Sequence, residues 1–76
     1  MNIVGKLYKG VQNNELPNVF TLKDVDIWLK KYNILQDNGK KYNNKGSIRS
    51  SLYYDYYNLH VNKIKNANGK IIAYYF

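Results

Sequence analysis

Gly46-Ser47-Ile48-Arg49-Ser50-Ser51-Leu52-Tyr53-Tyr54-Asp55-Tyr56-Tyr57 sets Ile48 and Leu52 at helical spacing, and Leu59 continues their stripe. The opposite arc carries Arg49, Ser50, Tyr53, Tyr54 and Tyr57, which offer a guanidinium, hydroxyls and rings but no aliphatic side chain. Asp55 falls beside the apolar stripe and not on the polar arc. The spacing predicts a helix over about 46–58 with an apolar back and a donor-rich front. Immediately upstream lies Lys40-Lys41-Tyr42-Asn43-Asn44-Lys45, a basic run rich in amides. A helix with a buried back, a polar front and cations at its N-terminal side is suited to a nucleic-acid groove.

Downstream, His60 to Lys65 and Lys70 to Phe76 are β-prone runs around Asn66-Ala67-Asn68-Gly69, where Asn-Gly predicts a hairpin over about 60–76. Period-two alternation turns Ile72, Tyr74 and Phe76 inward and Tyr75 outward. Upstream, Thr21 and Asp24 stand at capping-box spacing before the stripe Leu22, Val25, Leu29 and Tyr32, which predicts a helix to about Leu35. Ile27 projects opposite that stripe and Trp28 lies beside it. Val19-Phe20 is long enough for a brief strand, and Asn13 to Asn18 read as a loop around Pro17. Ile3, Val4, Leu7, Tyr8 and Val11 share one helix face, with Asn2 placed to cap it. Gly5 and Gly10 weaken that helix by up to ~1 kcal/mol each, and a short strand pair is the alternative. The order is helix, short strand, helix, turn, helix and hairpin, an α+β chain.

Seventy-six residues make one domain, 1–76, in which nearly every apolar side chain is needed for the core. Cysteine is absent, and His60 is the only histidine, so a disulfide frame, a thiolate metal site and a thiol nucleophile are excluded. The five acids are scattered and the five glycines isolated, which supports no paired carboxylates and no phosphate loop. No enzyme activity, cofactor or metal is expected. No apolar run reaches the ~18 residues of a membrane span and no signal peptide precedes the first helix, so the expected compartment is the cytoplasm. Met1 is taken as the start of a complete small gene product. The abundance of Asn, Lys, Ile and Tyr matches an AT-rich genome.

The charge of +7 is unevenly placed. Residues 1–38 hold five cations and four anions, whereas residues 39–76 hold seven cations and Asp55 alone. The positive half is also the half with the polar helix face, which favours a polyanion partner through phosphate neutralisation and counterion release.

This order of elements, with these residues, resembles the winged helix-turn-helix superfamily. It looks most like the small modules that stand alone or are appended to restriction and mobile-element proteins. The matching pieces are Val19-Phe20-Thr21-Leu22-Lys23-Asp24-Val25, Ser47-Ile48-Arg49 and the aromatic end Ala73-Tyr74-Tyr75-Phe76. The resemblance implies three helices, a short strand and a C-terminal two-stranded β-hairpin wing, and spans nearly the whole chain. Trp28 and the four tyrosines in and after the third helix depart from the pattern, toward either a modified DNA surface or a surface for protein.

Within the resemblance, residues 46–58 are the recognition helix and the hairpin is the wing. Arg49 then reaches guanine or phosphate, Ser47 and Ser50 phosphates or base edges, and Asn44 an adenine edge. Lys40, Lys41 and Lys45, with Lys63, Lys65 and Lys70 on the wing, are point charges for the backbone. Tyr53 and Tyr57 either stack on bases or pack as half-buried residues, and Tyr54 is the weaker of the three candidates for contact. Tyr56 is expected in the core, and His60 makes local bonds where the chain enters the hairpin. Ile27 and Trp28 are the candidate protein interface, although Trp28 alone reads more readily as core. The implied partner is DNA, duplex before single-stranded, bound by a monomer or homodimer acting as a regulator or accessory factor of a phage or mobile element. The alternative is an adaptor or phage-type inhibitor that binds a larger nucleic-acid enzyme through the same scaffold.

Overall fold

Asn2 begins the fold as an N-cap, its side chain accepting the Gly5 amide at 3.0 Å, and α1 runs over Ile3–Gln12. The computed structural model describes residues 2–42, 45–55 and 58–76. The expectations for Asn44, Tyr56 and Tyr57 fall outside those residues. Strand β1, Val19–Phe20, leads directly into α2, Leu22–Lys31, and α3 spans Lys45–Tyr54. Strands β2, Asn62–Lys65, and β3, Ile71–Tyr75, complete a three-stranded antiparallel sheet in the order β1-β3-β2. The chain is thus a small α+β domain of three helices and one sheet. No helix among the described residues is long and apolar enough to cross a membrane.

Each helix stops at a short polar residue in the left-handed region: Asn14 (φ 60°), Asn33 (φ 51°) and Asp55 (φ 47°). Asn and Asp tolerate that conformation better than most side chains do. The first two stops are Schellman closures. The Asn14 and Glu15 amides return to the carbonyls of Val11 and Gly10, and those of Asn33 and Ile34 to Lys30 and Leu29. This corrects the expected extent of α2. The helix ends at Lys31, short of Leu35, and Tyr32 becomes an exposed cap and leaves the buried stripe. The capping box at its other end forms as read: Thr21 Oγ1 accepts the Asp24 amide and Asp24 Oδ2 accepts the Thr21 amide.

The core gathers Ile3, Val4 and Leu7 of α1, Val25, Trp28 and Leu29 of α2, and Ile48 and Leu52 of α3 around Phe20, Val61 and Tyr74. Phe20 stacks on its register partner Tyr74 (centroids 6.0 Å apart) and meets Phe76 at 5.8 Å, and Phe76 in turn receives Tyr8 edge-on. The inward face of β3 differs from strict alternation. Ile64 pairs with Ala73 and Lys65 with Ile71, so Ile72 is an extra residue in a bulge. Beyond the bulge the faces exchange, so Ile71 packs against the core and Ile72 is exposed.

Trp28 is only 3% exposed, its indole N–H donating to Glu15 Oε1 at 3.0 Å, so it belongs to the core and not to a protein-binding surface. Ile27, by contrast, is 53% exposed. Gly10 explains how so large a ring is accommodated. A Cβ there would stand 2.9 Å from Trp28 Cζ2, closer than carbon atoms pack, so the missing side chain is what lets α1 approach the ring. Gly10→Ala gains up to ~1 kcal/mol of helix propensity but overpacks a rigid buried ring at a cost of about 1–3 kcal/mol. The expected net result is a lowered melting temperature. A melt raised by the substitution would show that the indole moves aside freely.

Candidate nucleic-acid interface

The outer surface of α3 follows from its two buried residues. With Ile48 and Leu52 against the core, Lys45, Gly46, Ser47, Arg49, Ser50, Tyr53 and Tyr54 are all exposed. Ser51, half-buried on the flank, donates its hydroxyl to the Ser47 carbonyl at 3.0 Å. Arg49 makes no ion pair with Asp24 or Asp26; Asp24 closes the capping box and Asp26 pairs with Lys30 at 3.3 Å. Burial pushes the Tyr74 hydroxyl above its ordinary value of 10.0, and the Arg49 charge acts in the opposite sense.

The hairpin contributes through its register. Lys63 stands opposite Tyr74, and directly opposed residues of an antiparallel pair share a face, so Lys63 is turned to the helix side of the sheet. Its ammonium lies over the Tyr53 ring, 5.4 Å from the centroid. Tyr53 and Tyr54 themselves pack edge to face with centroids 5.2 Å apart. The structure therefore joins Arg49, Ser50, Tyr53, Tyr54 and Lys63 on neighbouring surfaces of α3 and β2. Tyr54, the weakest candidate of its group in the sequence, is one of the most exposed rings.

The other cations lie elsewhere. Lys65 is exposed on β2, and Lys70 belongs to the tip, where Asn66 Oδ1 accepts the amides of Asn68 and Lys70 and Gly69 takes φ 81°. Lys40 and Lys41 are exposed on a tight turn closed by the Gln36 amide on the Lys40 carbonyl and by a bridge between Leu35 and Lys41. Lys41 lines a groove with Asp26, Leu29 and Lys30 of α2, and Lys45 lines another with Leu22, Val25 and Asp26. Lys6 holds this turn to α1. Its ammonium donates to the Leu35 carbonyl at 2.7 Å and the Tyr42 hydroxyl at 3.0 Å, and pairs with Asp37 at 3.2 Å. The hydrogen bond to Tyr42 is the main reason its pKa rises above 10.5. Nothing in the local sequence around Lys6 announces this role, since its partners are about 30 residues away.

Asp55 fixes the step from α3 to β2. Its own amide donates to the Ser51 carbonyl, while its two carboxylate oxygens accept the amides of Leu59 (2.9 Å) and Val61 (3.0 Å). His60, at φ 59°, lies within this loop and its carbonyl accepts the Asn62 side chain. With Asp55 accounted for, all five acidic side chains have an intramolecular partner. The chain matches no protein-family model, no curated protein and no solved structure.

Burial opposes ionisation of Asp55, but the amides of Val61, Leu59 and His60 outweigh it and hold the carboxyl below its ordinary 3.8. A depressed pKa stabilises the fold fully above the unfolded value, and the contribution is lost as pH falls through the folded one. Asp55→Asn should therefore cost about 1–3 kcal/mol near neutral pH, by leaving an amide poorly paired. Denaturation curves of the two proteins should converge below pH 3.8. A gap that stays constant from pH 7 to pH 2 would show that the carboxylate charge plays no part.

Proposed function

We propose that this protein is a small DNA-binding module of the winged-helix type, with α3 as the recognition helix and the β2–β3 hairpin as the wing. The observation that carries this reading is the juxtaposition of the exposed α3 face with Lys63 of the hairpin, in the half of the chain that holds seven of its twelve cations. In such a complex the first turns of α3 enter the major groove, where Ser47, Arg49 and Ser50 meet base edges or phosphates. Lys63, Lys65 and Lys70 follow the backbone along the wing, and Lys40, Lys41 and Lys45 contact it from the turn before α3. The commitment of each acidic side chain to an internal partner fits a binding role; Asp26, which borders the grooves of Lys41 and Lys45, is paired with Lys30. A regulator or accessory factor of a phage or mobile element is the corresponding biological role. The adaptor reading draws on Ile27, an exposed aliphatic residue on the outer face of α2.

The test is duplex affinity as a function of salt. Neutralising six to eight phosphates gives a slope of log K against log salt of about −5 to −7. Replacing Lys40, Lys41 and Lys45 with Ala should flatten it by up to about three, equally for all sequences. Arg49→Lys should keep non-specific affinity while costing about 1–3 kcal/mol on a preferred site if the guanidinium reads a guanine. No binding to duplex at low salt would refute the module, and binding to a larger protein through Ile27 would then replace it.

A further inference from the structure

We infer that Tyr53 and Tyr54 form a stacking platform for an unpaired base, so that the preferred ligand of this surface is a duplex ending in single strand. This rests on the nucleic-acid reading of α3 and deepens it. The two residues are 58% and 61% exposed, well above the other exposed rings among the described residues, Tyr32 (41%) and Tyr75 (39%). They are not loosely arranged. The rings meet at 87° with centroids 5.2 Å apart, and the Lys63 ammonium sits over Tyr53. An edge-to-face pair always turns a ring face away from its neighbour, and the exposure of both residues leaves such a surface accessible.

Continuous duplex offers this surface little. Its base faces are covered by their neighbours, and its grooves and backbone present polar edges and phosphates. An unpaired base presents a flat π-face of matching size, and stacking on tyrosine accepts any base. The flanking cations select the same ligand. Lys63 lies against Tyr53, and Arg49 is exposed one turn before it on α3, so the rings carry positive charge close by for the phosphates that flank such a base. An acidic nucleotide strand fits that combination of rings and positive charge.

The position of the platform specifies a junction. Helices that enter a major groove read bases with their N-terminal residues, which here are Ser47 to Ser50. Tyr53 and Tyr54 are the last residues of α3, beyond that segment. A base that leaves the stack where the duplex ends meets them, while the paired part stays with the first turns.

The experiment compares three fluorescent ligands at one salt concentration: a blunt duplex, the same duplex with a short single-stranded overhang, and the single strand. The first unpaired position carries 2-aminopurine. The expected result is about tenfold tighter binding of the overhang duplex than of the blunt one, with 2-aminopurine fluorescence quenched on binding. Tyr54→Ala should bring that ratio close to one, and Tyr54→Phe, which keeps the ring, should preserve it. Equal affinity for blunt and overhang duplexes without quenching would overturn the platform and leave duplex binding standing. Absence of binding to all three ligands would overturn both. Quenching in the unaltered protein decides the question even if Tyr54→Ala lowers stability.

Discussion

A single row of side chains across the sheet, Phe20, Tyr74 and Lys63, ties the core of this protein to its candidate surface. Register partners on β1, β3 and β2, they share the face toward the helices. Phe20 is fully buried and stacks on Tyr74; Lys63, at the far end of the row, leaves the core and covers Tyr53 of α3. Because β1 is only two residues long and runs straight into the Thr21 cap, the same row also fastens the hairpin to α2. A slip of one residue in the β2–β3 register would reverse the face of Lys63 and separate the hairpin from α3. Packing of an aromatic pair thus decides where a surface charge points.

The parts of the fold legible in the sequence were those governed by residues close together in the chain. Asn2, Thr21 with Asp24, and the Asn68-Gly69 turn declare element boundaries through local hydrogen bonds and backbone preference, and the helical spacing of Val25, Leu29, Ile48 and Leu52 selects the buried faces. The end of α2 was equally local but overridden by hydrophobic periodicity. Ile34 and Leu35 prolong the apolar pattern, while Asn33 in the left-handed region has already returned the chain to the Leu29 carbonyl. The bulge at Ile72 was not legible, because it is a property of two paired strands and not of either one. Likewise Gly10 reads as a weakness in α1 until Trp28 is seen against it.

The candidate site divides along the same line. That Arg49, Ser50, Tyr53 and Tyr54 lie on one exposed side of α3 is a consequence of period and needed no tertiary knowledge. The placement of Lys63 against Tyr53 depends on the register, and the attachment of the lysine-bearing turn depends on Lys6, whose partners are Leu35, Asp37 and Tyr42. Read from the sequence alone, Lys40 and Lys41 belong to a basic run just upstream of the helix, grouped with its cations. The structure instead sets Lys41 in a groove with α2 residues.

This separation leaves the positive charge in two distinct settings. Lys40, Lys41, Lys65 and Lys70 sit on turns or on the hairpin, exposed on flexible stems, where attraction to a polyanion needs little geometry and fades with salt. Arg49 stands on a helix whose back is locked by Ile48 and Leu52, and Lys63 is oriented by the ring beneath it. In the proposed complex, held charges of that kind would supply registration, since a ligand must come to them. Asp55 completes the arrangement from behind: its carboxylate engages the Leu59 and Val61 amides, so the one anion of the basic half shapes the loop between α3 and β2. Asp24, Asp37 and Asp55 serve caps and turns, Glu15 holds the Trp28 indole and Asp26 pairs with Lys30, while the exposed side of α3 is cationic, hydroxylic and aromatic, a surface whose chemistry suits phosphates and base faces together.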